Sequence, residues 1–404
     1  MNPIRKLKIV REEGGQVLAL LACVLTLLIL FVGFGIDFGF AYLTKADLSK
    51  GADAAALAAM RNLGQGMAQA QAMAQSEFNL NFNPISSLAA GPPTVNVGFS
   101  TDNFGNPTVT VNASVLINTF FIRLWPAYKT LNVASLAQAT RPPIILSLVL
   151  DSSGSMNYNG GAQALGPAVQ DFLGYFLENA DQLSESSFAS VANVDVPMTK
   201  LFKTPITNAV NRFTFGGATF AQGGLQDGQA QVNAVTNPGP NAIKVVVFFT
   251  DGWANTNEDT LACPPATLLN YGGCSPVEQQ VGWCSGVSFL NPRSGSQTSC
   301  GAGYFPSQLA GKSVPLTQTN ICDDAIFRTE NVSNTMRLQN MTVYSIGLGD
   351  KINQTYLLEV ANDPSSPTYN PNEPVGEAAF APTAGDLESV FQTIASKIIL
   401  RLTQ

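Results

Sequence analysis

Two apolar runs in this chain each stop at an aspartate. Ile144-Ile-Leu-Ser-Leu-Val-Leu150 leads directly into Asp151-Ser-Ser-Gly-Ser155, and Val245-Val-Val-Phe-Phe-Thr250 leads into Asp251-Gly252. Unbroken runs of this kind mark strands covered on both faces, as in parallel sheets whose crossover helices shield each side. Two such strands ending in carboxylates place Asp151 and Asp251 side by side at the carboxyl edge of the sheet, where open α/β folds bind their ligands. From Ile144 onward, strand patterns near 144–150, 187–195, 243–250, 341–348 and 377–381 alternate with helical patterns near 161–178, 221–235, 323–340, 353–362 and 385–400. The alternation predicts a doubly wound α/β domain with a mostly parallel sheet. In the last helix Leu387, Val390, Phe391, Ile394 and Ile398 share one face, which assigns them to core packing.

A second feature sets where that domain works. Val17 to Ile36 is twenty consecutive residues without a charge, enough at ~1.5 Å per residue to cross a ~30 Å hydrocarbon core. Arg5, Lys6, Lys8 and Arg11 precede it, so the positive-inside bias keeps residues 1–16 in the cytoplasm and exports everything after Ile36. A cleaved signal peptide would instead have an apolar region of ~7–15 residues and an Ala-x-Ala-like site. Neither feature is apparent, and the segment is expected to remain as a single-pass membrane anchor.

Residues 37–79 follow as an Ala-rich stalk helix, with Gly51-Ala-Asp-Ala-Ala-Ala-Leu-Ala-Ala-Met60 suited either to close packing or to standing alone in solvent. Gly64 and Gly66 are expected to interrupt it. Residues 80–141 alternate apolar and polar side chains at Thr94-Val-Asn-Val-Gly-Phe99, Thr108-Val-Thr-Val-Asn-Ala-Ser-Val115 and Thr130-Leu-Asn-Val-Ala-Ser135, which predicts a small antiparallel β-rich module. Arg141-Pro-Pro143 reads as a stiff hinge into residues 142–404.

Composition removes whole classes of function. The 404 residues contain no histidine, so Ser-His-Asp triads, His-ligated zinc and His acid–base chemistry are excluded. Residues 1–16 carry +2 of a formal net charge of −7, leaving −9 on the exported portion, which argues against nucleic acid as a partner. Cys23 falls in the membrane run and reads as a small packing residue. Cys263, Cys274, Cys284, Cys300 and Cys322 cluster in or beside a Gly-, Pro- and Ser-rich insertion at 254–321 with no Cys-x-x-Cys pair, which favours disulfides over zinc. Five is odd, and their pairing stays open.

The chemistry gathers in three loops. Asp151, Ser153 and Ser155 alternate along the first, so their oxygens can converge; Phe215-Gly-Gly-Ala-Thr219 brings a threonine to the start of a helix; the third ends in Asp251-Gly252. A donor set of oxygen alone selects a hard divalent cation, Mg²⁺ first, with Ca²⁺ or Mn²⁺ also suited. Helix capping is the plain alternative for each aspartate taken singly. Asn255-Thr-Asn-Glu-Asp259 does not have EF-hand spacing and reads as a solvated loop, and Gly347-Leu-Gly-Asp350 lacks the rest of a dinucleotide fingerprint and reads as a strand end. Trp253 either shapes the rim of the cation loops or packs the insertion.

Asp-x-Ser-x-Ser after a buried strand, Gly-Gly-x-Thr and Thr-Asp-Gly, in that order, resemble the metal-ion-dependent adhesion site of von Willebrand factor type A domains, a resemblance that covers about 142–404. It implies a Rossmann-type fold in which Ser153, Ser155 and Thr219 contact the metal, Asp151 and Asp251 act directly or through water, and a Glu or Asp of a protein ligand takes the sixth position. Glu13-Gly-Gly-Gln16, the apolar run, Asp37 and Leu48-Ser-Lys-Gly-Ala-Asp-Ala-Ala-Ala-Leu-Ala58 resemble the N-terminal region of TadG-like proteins of Tad (Flp) pilus assembly. Prepilins of that system place Glu five residues after the cleaved Gly, where this chain has Leu20, so the resemblance implies assembly or anchoring rather than polymerisation. The expectation is a non-enzymatic, membrane-anchored binding protein whose partners include pilus or secretion-system components. The alternatives are a general envelope adhesin or scaffold and a metal-dependent hydrolase.

Overall fold

The computed structural model describes residues 14–83, 89–103, 105–239, 241–260, 278–282, 288–290, 297–299, 304–315 and 318–400. The chain forms two compact units, the first drawing on residues up to Ala59, Gln71–Phe99 and Val109–Ala139, the second on Met60–Ala70, Ser100–Thr108 and Thr140 onward.

In the first unit the apolar run and the Ala-rich run are one helix, α1 (Gly14–Asn62), and not two elements meeting at Ile36. Gly33, Gly35 and Gly39 lower helix propensity around the junction, but no proline removes a ladder donor, and the backbone ladder continues through both runs. Side chains from Val17 to Val32 are exposed apart from the half-buried Leu30, whereas Leu48, Ala52, Ala55, Ala56 and Ala59 are buried at three- and four-residue spacing. Of the two readings left open for the Ala-rich half, close packing is what the structure has. The covering element is α2 (Met67–Asn81), which follows a 3-10 turn at Leu63–Gln65 beside the glycines expected to interrupt the helix. A Cβ added at Gly51 would stand 3.0 Å from the Phe82 side chain and 3.2 Å from the Phe78 ring, so the glycine admits both aromatics. Strands β1 (Thr94–Thr101), β2 (Pro107–Asn118) and β3 (Thr130–Thr140) form a sheet in the order β1-β2-β3. The middle strand alternates most clearly between buried and exposed positions, as a sheet covered on one face requires.

The second unit is built on a six-stranded sheet. Its elements in chain order are β4 (Ile144–Asp151), α3 (Gly161–Leu173), β5 (Gln182–Phe188), β6 (Ala192–Thr199), α4 (Lys203–Val210), α5 (Ala221–Asn233) and β7 (Ile243–Thr250). The insertion carries β8 (Thr256–Thr260), β9 (Glu278–Gly282), β10 (Ser288–Leu290), β11 (Gln297–Ser299), β12 (Tyr304–Ser307) and β13 (Lys312–Pro315). Then come α6 (Gln318–Leu338), β14 (Met341–Leu348), α7 (Gln354–Ala361), β15 (Ala378–Ala381) and α8 (Leu387–Leu400).

The sheet order is β15-β14-β7-β4-β5-β6, parallel throughout except where β6 runs antiparallel to β5. Every residue of β4 is buried. Leu146, Leu148 and Leu150 pack toward Phe172 and Phe391 of the α3 and α8 layer, while Ile145 and Val149 pack toward Leu225 of α5 and Phe248. From β4 the chain first moves outward through β5 and β6 and then returns to β7 on the other side of β4. The order therefore reverses between β4 and β7, which opens a crevice at their carboxyl ends.

Three expectations need correction. The single strand expected at 187–195 straddles a reversal, because β5 ends at Phe188 and β6 begins at Ala192. Arg141 is no hinge residue; it is 1% exposed, and its guanidinium grips both oxygens of buried Asp181 at 2.7 Å. Asp181 also accepts from the Ile144 and Leu177 amides, so the pair fixes the entry to β4. The stretch 255–259 is not a solvated loop, since Thr256 and Asn257 are buried at the start of β8. There Asn257 donates to Asp324 of α6, which also accepts from Ser307 and Arg328.

Within the insertion β8 to β11 form an antiparallel sheet and β12 and β13 a hairpin. Cys322 lies in α6, and the expected partners Cys263, Cys274, Cys284 and Cys300 lie outside the described residues.

Candidate functional site

Asp151 is the last residue of β4, and its neighbour across the ladder, Thr250, is the last of β7. The Thr250 hydroxyl donates to Oδ2 of Asp151 at 2.6 Å, and the Ser153 amide donates to Oδ1 at 2.7 Å. From there a chain of hydroxyls crosses the crevice: Ser153 Oγ lies 3.0 Å from Ser155 Oγ, which donates to Oδ1 of Asp251 at 2.6 Å. Asn159 closes the far side by donating to Oδ2 of Asp251 at 2.9 Å, and its own Oδ1 accepts from the Gly161 amide at the start of α3. Four of the five residues singled out in the sequence thus form one hydrogen-bonded string.

Thr219, the fifth, is buried and reaches the cluster through the backbone. Gly216 N–H donates to Ser152 C=O at 3.0 Å and Gly154 N–H to Gly217 C=O at 3.3 Å, which lays the Gly-Gly-x-Thr loop against the Asp-x-Ser-x-Ser loop. Gly217 adopts φ +81°, a left-handed conformation that glycine takes without a Cβ clash. Thr219 N–H donates to the Asn255 side chain at 2.7 Å, and its carbonyl accepts from the Asn255 amide at 3.1 Å.

The electrostatics are those of two negative groups held close together. Asp151 is fully buried, and burial first, then the charge of Asp251, pushes its carboxyl up to about 7, against the lowering effect of hydrogen bonds from Ser153 and Thr250. Burial also raises Asp251, offset by the bonds from Ser155 and Asn159. Neither carboxylate has an ion-pair partner among the described residues. Among those residues no group of three or more His, Cys, Asp or Glu side chains forms a cluster able to hold a metal. The carboxylates number two, and hydroxyl oxygens make up the rest of the donor set. Such a set fits a hard cation and its charge.

Four residues that the sequence reading left out support the site. Thr250 and Asn159 fix the outer oxygens of the two aspartates, Asn255 holds Thr219, and Ser190 Oγ accepts from the Ala218 amide at 2.9 Å. Thr250 was legible in principle, because it directly precedes Asp251 at the end of a buried strand. Trp253 is half exposed and donates its ring N–H to Lys351 C=O at 2.8 Å, so it bridges to the β14–α7 loop. Beside the cluster a groove of about 580 Å³ is lined by Ser152, Ser190, Asp195, Arg212, Phe215 and Gly216, among others.

Comparison with known proteins matches two families. Residues 15–72 match the Flp pilus-assembly TadE/G-like family, and residues 146–272 match the von Willebrand factor type A domain. No curated protein matches the chain. Among solved structures, the von Willebrand factor domain of the type V pili tip protein Mfa5 from Porphyromonas gingivalis is 14% identical, over 66% of this chain and 98% of that one, at a TM-score of 0.43. The open conformation of the pilus adhesin SpaC from Lactobacillus rhamnosus GG is 17% identical, over 77% and 34%, at 0.43. Proximal thread matrix protein 1 from the mussel byssus, with a zinc-occupied adhesion motif, is 16% identical, over 64% and 46%, at 0.38. The chain spans about half the length of the mussel protein it matches. The two family matches, one over the apolar helix and one over the sheet that carries Asp151 and Asp251, give this chain the make-up of a TadG-like protein with a von Willebrand factor type A domain.

Proposed function

We propose that the chain is a single-pass protein of the bacterial inner membrane, N-terminus in the cytoplasm, whose exported domain captures an acidic residue of a protein partner during Tad/Flp pilus assembly or anchoring. The membrane side rests on α1, the one helix among the described residues long and apolar enough to cross a bilayer, and on the TadE/G-like match over it. The proposed layout is cytoplasmic 1–16, membrane 17–36, stalk 37–79, β-rich module 80–141 and binding domain 142–404. Disulfide cross-linking of the 254–321 insertion is part of the same reading.

The observation that carries the binding role is the buried pair Asp151 and Asp251, strung together through Ser153 and Ser155 with no cationic side chain among the described residues to neutralise it. In this reading Ser153, Ser155 and Thr219 would hold a divalent cation directly, and Asp151 and Asp251 directly or through water, Mg²⁺ being the first choice. The cation, when bound, supplies a positive charge that a partner's Glu or Asp can reach. The chain's own residues do the positioning. Thr250 and Asn159 orient the carboxylates, Asn255 fixes Thr219, and Gly217 permits the loop contact. Arg212 in the adjoining groove adds an attraction for acidic partners, partly countered by Asp195.

Binding is preferred to catalysis because the chain has no histidine and, among the described residues, no third carboxylate joins the pair to act as a base. The test is capture of partners from a cell-envelope extract by the exported portion, in Mg²⁺ and in EDTA, with Asp151→Ala and Thr219→Ala alongside. Partners lost in EDTA and in both variants support the proposal, and equal capture in all conditions would sink it.

A further inference from the structure

Asp37 stands at the end of the uncharged stretch of α1, a costly place for a carboxylate unless its oxygens are satisfied. It is 2% exposed and accepts three backbone N–H groups: Phe120 at 2.7 Å on Oδ1, and Phe121 at 2.9 Å and Ile122 at 2.7 Å on Oδ2. These bonds fasten the segment Phe120–Lys129 to the helix at the level where the apolar run ends.

The neighbouring contacts set the depth of that segment. The Phe34 ring stacks on Trp125 with centroids 6.1 Å apart, and Phe40 meets Phe120 at 5.8 Å. A Cβ added at Gly33 would lie 2.5 Å from the Phe121 ring, so the helix is bare there to receive it. Phe34 is three residues inside Asp37, or ~4.5 Å along a helix axis at ~1.5 Å per residue. Trp125 is thereby placed about one turn within the apolar stretch, while Asp37 marks its edge.

The surface of the segment matches such a position. Trp125, Tyr128, Phe120 and Leu124 are all about half exposed or more, and with Phe34, Phe38, Ile122 and Leu131 the two aromatics Trp125 and Tyr128 line an apolar groove of about 600 Å³. Arg123 and Lys129 are exposed on the same short stretch. Exposed aromatic rings beside basic side chains, level with the end of a membrane helix, have the composition of an interfacial belt.

We propose that Phe120–Lys129 is a second membrane contact, a monotopic loop that lies in the lipid interface on the Asp37 side, with Trp125 and Tyr128 at headgroup level and the groove facing phospholipid acyl chains. The partner is the bilayer itself. The proposal rests on the reading of α1 as membrane-spanning. What carries it beyond that reading is the Asp37 carboxylate clasp and the Phe34–Trp125 stack, which tie an otherwise unpartnered aromatic surface to the lipid-facing helix.

The test uses the full chain in phosphatidylethanolamine and phosphatidylglycerol vesicles whose acyl chains are brominated either near the headgroup or near the chain end. The chain has three tryptophans, so the emission difference between wild type and Trp125→Phe isolates one of them. Trp253→Phe together with Trp283→Phe leaves Trp125 alone and serves as an independent second variant. Loss of Trp125 emission that is greater with bromines near the headgroup is the expected result. Emission insensitive to either lipid but quenched by aqueous acrylamide would overturn the proposal, as would stronger quenching from the chain ends. Alkaline carbonate washing of the same vesicles reports α1 separately: release of the chain overturns the spanning reading and this proposal with it, whereas retention with an unquenched Trp125 overturns this proposal alone.

Discussion

The Ser155 hydroxyl donates to Oδ1 of Asp251 at 2.6 Å, joining two loops 96 residues apart in sequence. Through Ser153 the same string reaches Asp151, so two strand ends that carry like charge are held together by neutral groups. The closeness stores electrostatic repulsion that a bound cation would relieve.

That repulsion gives the first prediction. Mg²⁺ should raise the thermal unfolding midpoint of the wild-type protein, by the equivalent of about 2.7 kcal/mol when the free ion is 100-fold above its dissociation constant. Asp251→Asn should melt above wild type in EDTA, since one of the two charges is gone, yet gain nothing from Mg²⁺. Melting curves in the two conditions decide it; a wild-type midpoint indifferent to Mg²⁺, Ca²⁺ and Mn²⁺ would contradict the site.

Thr250→Val keeps the shape of the side chain and deletes the donor to Asp151 Oδ2. A buried carboxylate oxygen left without that bond should cost about 1–3 kcal/mol, read as a lower urea midpoint at an unchanged slope in EDTA. The same substitution should weaken Mn²⁺ binding, measurable by the electron paramagnetic resonance signal of the free ion.

Arg141→Met strands the buried Asp181 carboxylate and should cost about 3–5 kcal/mol in chemical denaturation. Adding Asp181→Asn should recover part of the loss, because a neutral amide needs no counter-ion and its oxygen can still accept from Ile144 or Leu177. No recovery in the double variant would mean that the guanidinium acts by packing and not by charge.

Glu185 in β5 is fully buried, and neither of its oxygens has a hydrogen-bond partner among the described residues. Burial, with a smaller push from Asp195, raises its carboxyl well above the ordinary 4.5. The folded state therefore holds this proton more tightly than the unfolded chain does. The resulting stability is complete below about pH 4.5 and is lost as pH rises toward and through the folded value, at no more than about 1.4 kcal/mol per pH unit. Glu185→Gln should flatten that fall and be the more stable protein at pH 8, as urea titrations at pH 5 and pH 8 would record.

The legible parts of the fold were those whose side chains announce their surroundings. β4, β7 and β14 are covered on both faces and read as apolar runs, and the loops after β4 and β7 carry their chemistry at the end of the run. β5 was missed because its buried positions are filled by Ser184, Glu185, Ser186 and Ser187, with Ser184 bonded to Ser147 of β4. Polar pairs inside a sheet mimic an exposed edge, so the sequence pattern places the strand too far forward, across the turn into β6. Arg141 misled in the same way: charge and two prolines suggest solvent, but the partner that makes its burial tolerable lies 40 residues on. Thr219 and Asp251 were legible as residue types, whereas Asn159 and Asn255, which orient Asp251 and Thr219, belong to no spacing rule and emerge only when the loops meet.

The continuity of α1 has a mechanical consequence. Its 49 residues form one hydrogen-bonded rod of ~74 Å at ~1.5 Å per residue, with no proline to break the ladder where the apolar stretch gives way to the alanine-rich one. A swivel between the two stretches would let one half turn freely against the other; an uninterrupted helix does not. Torque or tension applied to the alanine-rich half is passed along the axis into the apolar half.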